Sequence, residues 1–330
     1  MQTPSGYRVT IALCALALAA SQITPVVAQE TSESAETDTE DTTPAGEEIE
    51  TGSSEFTVEL GAGLQYDDNV TVDDIDQATN LGDFAAVFDA GLEYEHDFGQ
   101  GTEFEVGYGL SQRSYFEETD FNLQIHSGAI QVKHDSGSYN LGLSGREIYA
   151  RLGGDGFLNI AQVQPYASGF VTDILYLRGA YTFRDKSFEG RDDRDATVHM
   201  GALDNYFFLD GASRYLLLGY RFENEDANAA EFDFNGHNLK VRYSHEFQFA
   251  AQEWEFNTGW RYEKRNYSNP TPSIGVKRDD DKHRLRAGLE LFLTDRLTLI
   301  SQYQYRNYNS NLPAADYTEN RIDLSVAAEF

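Results

Sequence analysis

The chain has 330 residues, with 21 Phe, 20 Tyr and 28 Gly but only 2 Met, and 55 acidic against 25 basic side chains. A formal net charge of −30 repels nucleic acid and excludes it as a partner. Mean hydropathy is −0.52, and no apolar run beyond the N-terminus is long enough for a membrane helix. A helical membrane bundle is therefore excluded, whereas a membrane barrel, apolar only at alternate residues, is not.

Residues 1–28 read as an export signal. Arg8 precedes the apolar run Val9–Ala20, and Val26-Val27-Ala28 sets small residues before cleavage at Gln29. Cys14, the single cysteine, lies inside that run, and Leu13 before it is too large for a lipoprotein cleavage site. The mature chain thus has no disulfide, thiolate ligand or Cys nucleophile. Residues 29–54 carry many Glu and Asp but no Lys or Arg, and read as a disordered periplasmic tail. It serves as a spacer, or as a contact for a basic periplasmic partner.

After Glu55, apolar residues recur at every second position. Phe56, Val58, Leu60, Ala62, Leu64 and Tyr66 make the first row, Phe84 to Tyr94 the second, and Phe104, Val106, Tyr108 and Leu110 the third. Further rows fall near 121–134, 139–152, 157–171, 174–186, 195–208, 214–224, 237–249, 252–266, 282–293, 296–308 and 317–330. This predicts an all-β fold over 55–330: a transmembrane antiparallel up-and-down β-barrel of 14 strands, with 12 as the alternative. The alternative arises because Pro165 removes a ladder donor, Asp204 falls on the outward phase of its row, and the phase slips at Ser127–Ile130 and Gly145–Ile148, which we read as bulges. Short turns alternate with long polar connections, the longest at 67–80, 225–236 and 267–281, so an even count brings both termini to the short-turn, periplasmic rim. Aromatics at row ends, namely Tyr66, Tyr94, Tyr206, Phe208, Phe247, Phe249, Trp254, Trp260, Tyr262, Tyr303 and Tyr305, suit interfacial girdles. A soluble β-sandwich would need an apolar interior, and nearly all inward positions here are charged, glycine or amide.

At the C-terminus Ile322, Leu324, Val326, Ala328 and Phe330 alternate up to a terminal aromatic. The pattern looks like the β-signal that the barrel-assembly machinery reads in outer-membrane proteins. It implies a Gram-negative outer membrane, with its lipid and lipopolysaccharide as surroundings. Tyr66-Asp67-Asp68-Asn69-Val70, followed by Asp73, Asp74 and Asp76, resembles the Tyr-Asp-Asp-Asn type start of a family of outer-membrane β-barrel porins, some of which occur with exopolysaccharide systems. The resemblance implies an outer-membrane channel. By themselves these Asp and Asn residues read as turn caps rather than calcium ligands.

The inward rows supply a basic track of Arg178, Arg221, Arg242, Arg261, Arg284, Arg286 and Arg306. Glu59, Asp89, Glu93, Glu95, Glu103 and Glu105 along the first strands, with Glu246, Glu253, Glu255, Glu290, Asp323 and Glu329 near the periplasmic ends, face it, which predicts a transverse field across the lumen. Such a wall suits small hydrophilic or acidic solutes, acidic saccharides among them, with Tyr166, Tyr176 and Tyr215 offering flat faces to sugar rings. Bracing between strands is the plainer role for the same charges. No catalytic, metal or cofactor residue is expected: Ser244 and His245 are adjacent and so point to opposite faces, and no metal or nucleotide motif occurs. The sequence reads as a passive porin-like channel, with polysaccharide export as the narrower version. A closed structural or adhesive barrel is the alternative, and an enzyme at the lipid face is least supported.

Overall fold

A computed structural model describes residues 53–330. The expected signal peptide and the tail up to residue 52 lie outside the described residues. The strands are β1 (Ser54–Asp67), β2 (Thr71–Val72), β3 (Gln77–Ala78), β4 (Asp83–Asp97), β5 (Thr102–Tyr115), β6 (Leu123–Asp135), β7 (Asn140–Leu152), β8 (Asp155–Thr172), β9 (Leu175–Phe188), β10 (Ala196–Phe208), β11 (Arg214–Ala227), β12 (Phe234–Phe249), β13 (Gln252–Thr271), β14 (Val276–Thr294), β15 (Leu297–Ser310) and β16 (Tyr317–Glu329). Fourteen of them form a closed antiparallel barrel, while β2 and β3 pair only with each other. Twelve strands is therefore wrong. Closure joins β1 to β16 from Glu59↔Glu329 to Asp67↔Arg321. Phe330 exchanges backbone hydrogen bonds with Val58 at 2.9 and 3.1 Å, so the alternating C-terminal row lies on the seam and closes the ring.

Alternation sorts the side chains as the pleat requires. Phe56, Leu64, Ile322, Leu324 and Phe330 stand exposed on the outer face, and Gln65, Arg178, Arg284, Arg306 and Arg321 are buried inside. A Tyr hydroxyl closes the outer row of five long-loop hairpins by bonding diagonally to the next strand. The pairs are Tyr108–His126 (2.7 Å), Tyr181–His199 (2.6 Å), Tyr220–His237 (2.8 Å), Tyr262–Asp281 (2.5 Å) and Tyr303–Asn320 (2.7 Å). Each phenol thus keeps its polar end satisfied where the apolar band stops.

Three expectations need correction. β6 pairs β7 without a register shift from Leu123↔Leu152 to Asp135↔Asn140, so the phase slips are not bulges. Instead Gly128, Gly145 and Ala161 leave an outer notch of about 590 Å³ beside Ile130, Val163 and Phe183, while Ile125, Ile148 and Ala150 turn their apolar side chains inward. β10 has the opposite phase to that expected: Tyr206 is buried, Phe208 packs on Tyr206 inside, and Asp204 meets Lys240 at 3.1 Å. Both drop out of the outer girdle. Finally, β13 and β14 continue their ladder to Thr271↔Val276, reducing the expected loop 267–281 to residues 272–275.

Pro165 pairs in register with Leu143, but it and Gln164 drop out of the β8–β9 ladder, which resumes at Tyr166↔Ala180. The missing donor is absorbed as a local gap.

Candidate functional site: a strap across the lumen

The connection from β1 to β4 does not project from the rim. Val70 and Leu81 close its neck (3.0 Å), Thr71↔Ala78 and Val72↔Gln77 pair, and a short 3-10 turn at Asp73–Ile75 forms the tip. Gly82 makes the return possible, because a Cβ there would lie 3.0 Å from the Tyr66 hydroxyl and 3.2 Å from the Asp67 carbonyl. This strap enters the barrel. Val72 and Ile75 pack on Ile125, Ala150, Phe157, Leu158, Ile160 and Phe188 of β6 to β9, worth about 1.5–3 kcal/mol for each strap residue.

On the other flank, Asn69 donates to the Thr318 carbonyl (2.8 Å) and Thr71 to Glu319 (2.5 Å). The Tyr317 hydroxyl donates to Asp73, which also faces Arg284 at 3.7 Å. Asp76 accepts from Arg278 through both oxygens (2.8 and 3.0 Å) and from Arg194 (2.9 Å). Arg194 lies between β9 and β10, and β10 stands seven places from β1 in the ring of fourteen, so the strap spans the mouth from wall to wall.

Of the expected basic track, Arg261, Arg284 and Arg306 fall in one row, together with Lys240. Successive registers align Lys240, Arg261, Arg284 and Arg306 on four adjacent strands. Like charges directly opposite one another are unfavourable in a sheet, and here the acids of the strap and of β16 offset them. Arg306 meets Glu319 at 3.2 Å, Arg221 meets Glu223 at 3.5 Å and Arg286 donates to Gln304 at 2.7 Å. Arg242 shares the inward face of β12 with Lys240.

Arg178 stands apart from that row, close to the short-turn end of β9. Its guanidinium lies 4.3 Å from the centre of the Tyr166 ring, which in turn covers Gly142, where a Cβ would collide with it. Tyr176, Tyr206, Phe208 and Tyr215 continue this aromatic patch with ring centres 6.1–6.4 Å apart. Tyr176 and Tyr215 meet through Tyr206, Tyr166 joins them through Arg178, and Tyr206 and Phe208 are additions hidden by the inverted phase of β10.

The expected transverse field needs revision. Glu93, Glu95, Glu103, Glu105, Glu253, Glu255 and Glu329 lie at strand ends beside the short turns, whereas Arg284, Arg306 and Arg321 lie toward the long-loop end. Most of the charge separation therefore runs along the axis. The transverse component comes from Asp73, Asp74 and Asp76 of the strap facing the basic row.

Burial opposes charge on all three strap acids, with different outcomes. At Asp73 it is outweighed by Lys282, Arg306 and Arg284, which hold the carboxyl below its usual range. Arg278, with Arg194, does the same for Asp76. At Asp74 burial prevails, aided by Asp73 and only partly countered by Lys186, and the carboxyl is pushed up to about 6. One of its oxygens is buried without a hydrogen-bond partner. Between 3.8 and about 6 the seated strap therefore holds a proton that a released strap gives up. Seating weakens as pH rises through that window and levels off above it. Asp73 and Asp76 contribute the opposite sign, but their loss comes only in stronger acid. Hydrogen exchange of residues 70–81, corrected for intrinsic rates, should show protection falling from pH 4 to pH 7. Asp74→Asn should flatten that slope, and an unchanged slope refutes the assignment.

No protein-family model and no curated protein matches the sequence. Solved structures do. The anion-selective porin from Comamonas acidovorans superposes with a TM-score of 0.52 at 9% identity, over 85% of this chain and 100% of that one. The outer-membrane channel DcaP of Acinetobacter baumannii gives 0.52 at 8% identity, covering 84% and 97%. OmpT of Vibrio cholerae, an outer-membrane protein, gives 0.51 at 9% identity, covering 84% and 98%. The fold is that of outer-membrane porins. At these identities the likeness extends to the fold alone.

Proposed function

We propose that the chain is an outer-membrane, porin-like channel through which small hydrophilic or acidic solutes diffuse past the strap. The observation that carries this reading is the in-register row Lys240, Arg261, Arg284 and Arg306, set opposite the strap acids inside a closed barrel. A carboxylated solute can pass along such a row by exchanging one guanidinium partner for the next. Acidic saccharides are the narrower class, because Arg178 and its aromatic patch offer a cation beside flat ring faces. Polysaccharide export is the narrowest version. On this reading the short-turn rim faces the periplasm, lipid and lipopolysaccharide surround the outer face, and the β16 row serves the assembly machinery. Diffusion of this kind requires no catalytic residue.

The test is single-channel recording of the refolded mature chain in a planar bilayer under a salt gradient. A steady conductance with a reversal potential on the anion side is expected. The span of the strap across the mouth favours one rival, a closed barrel without transport. Persistent silence from a correctly folded barrel would select it.

A further inference from the structure

The seat of Asp76 is built like a receptor. Arg278 is almost fully buried and is held by barrel residues as well as by the strap, since Asp280 binds it at 2.8 and 2.9 Å and it lies 4.7 Å over the Tyr267 ring. Arg194 is likewise held over the Phe232 ring at 4.2 Å. Three N–H donors converge on two carboxylate oxygens, a geometry that suits a carboxylate, and Arg194 gives a further N–H to the Asp74 carbonyl at 3.0 Å. With Asp76 removed, two guanidinium groups face the single charge of Asp280, leaving one net positive charge. The occupant itself is under constraint: Asp76 and Asn80 both hold left-handed backbones, with φ of 54° and 57°. The strap also buries an unpartnered Asp74 oxygen when it docks.

We propose that the Arg194–Arg278 seat is a binding site for the carboxylate of a solute, occupied at rest by Asp76 as an internal stand-in, so that an arriving carboxylate displaces Asp76 and unlatches the strap. This deepens the channel reading and rests on it for its physiological meaning, because the solute that opens the mouth is then of the class that the basic row conducts. Ligand and strap compete for the same three donors. Binding the solute and releasing the strap are consequently one equilibrium, and the apparent affinity is reduced by the fraction of time that Asp76 holds the seat.

The mature chain lacks cysteine, so Gln77→Cys, exposed on the strap, takes a single environment-sensitive fluorophore. The labelled barrel is titrated with sodium glucuronate, and with glucose as the neutral analogue at constant ionic strength. A saturable change with glucuronate and none with glucose is expected. A second set of titrations, read by calorimetry, uses variants that leave the barrel ladder intact. Asp76→Asn should tighten glucuronate binding by roughly tenfold or more as the resident competitor is lost. Arg194→Gln, in the loop, should abolish it. Equal responses to glucose, unchanged affinity in Asp76→Asn, or full binding in Arg194→Gln would each overturn the proposal. Inorganic phosphate matching glucuronate would overturn the carboxylate assignment. Conductance of the same preparation separates the two readings. A silent barrel whose label responds sinks the channel and keeps the seat, whereas a conducting barrel whose label ignores glucuronate does the reverse.

Discussion

Replacing residues 71–78 with a Gly-Gly turn should raise single-channel conductance several-fold while the barrel stays closed, its resistance to unfolding lowered by the lost packing of Val72 and Ile75. The neck survives the excision, because Val70 and Leu81 bond across it and Thr79 donates to the Val70 carbonyl at 3.0 Å. None of the barrel ladders uses a strap residue. What disappears is the tip: the apolar plug of Val72 and Ile75 on β6 to β9 and the three carboxylates facing the basic row. Selectivity should shift with conductance. Without Asp73, the Arg284 and Arg306 region carries more uncompensated positive charge, and the reversal potential should move further toward anions. A deletion variant with the parent conductance and selectivity would show that the strap does not govern passage.

The second large effect should come from Arg242→Gln combined with Arg261→Gln. Arg284 is left in place because it faces Asp73 and its loss would also disturb the strap. The double variant should lose most of its anion preference, read as a reversal potential moving toward zero in a salt gradient. Its stability should move in the opposite sense. Arg261 stands directly across from Lys240 on one side and Arg284 on the other, and relieving like charges opposite one another in a sheet is worth about 0.2–1 kcal/mol. Loss of selectivity with equal or greater resistance to unfolding would distinguish a permeation role from bracing. If these arginines merely braced the wall, the double variant would unfold more easily and its selectivity would hold.

The wall of the barrel was legible in the sequence because lipid imposes one strict requirement, an apolar side chain at every second outward position. The same rule put Arg178, Arg284 and Arg306 on the inner face, since whatever is not apolar on that phase must face in. It failed where both faces are apolar. β10 carries Val198, Met200 and Tyr206 inside and Leu203 outside, and only Asp204 could have settled its phase. On β7 the slip read at Gly145–Ile148 arises because Ile148 turns inward and, with Ile125, Leu158 and Ile160 of the neighbouring strands, forms the dock for a loop. The strap itself was hidden by composition. Tyr66 to Asp76 holds the acids of a solvated loop, and their partners Arg194, Arg278 and Tyr317 come from distant turns and strands that no local pattern links to it. The clue was the pairing of two oddities, an unusually acidic first loop and apolar residues on the wrong face of three strands.

The strap also sets an order of events in folding. It belongs to the first hairpin of the chain, yet Arg194 lies 118 residues from Asp76, Arg278 lies 202, and the Thr71–Glu319 bond spans 248. Contacts of such separation close late, after the shorter-range hairpins have formed. The full set of anchors exists only once β14 and β16 are in place and the seam with β1 has joined. Until then the growing sheet carries an unlatched loop, and the seated strap is a mark that the whole ring has been completed.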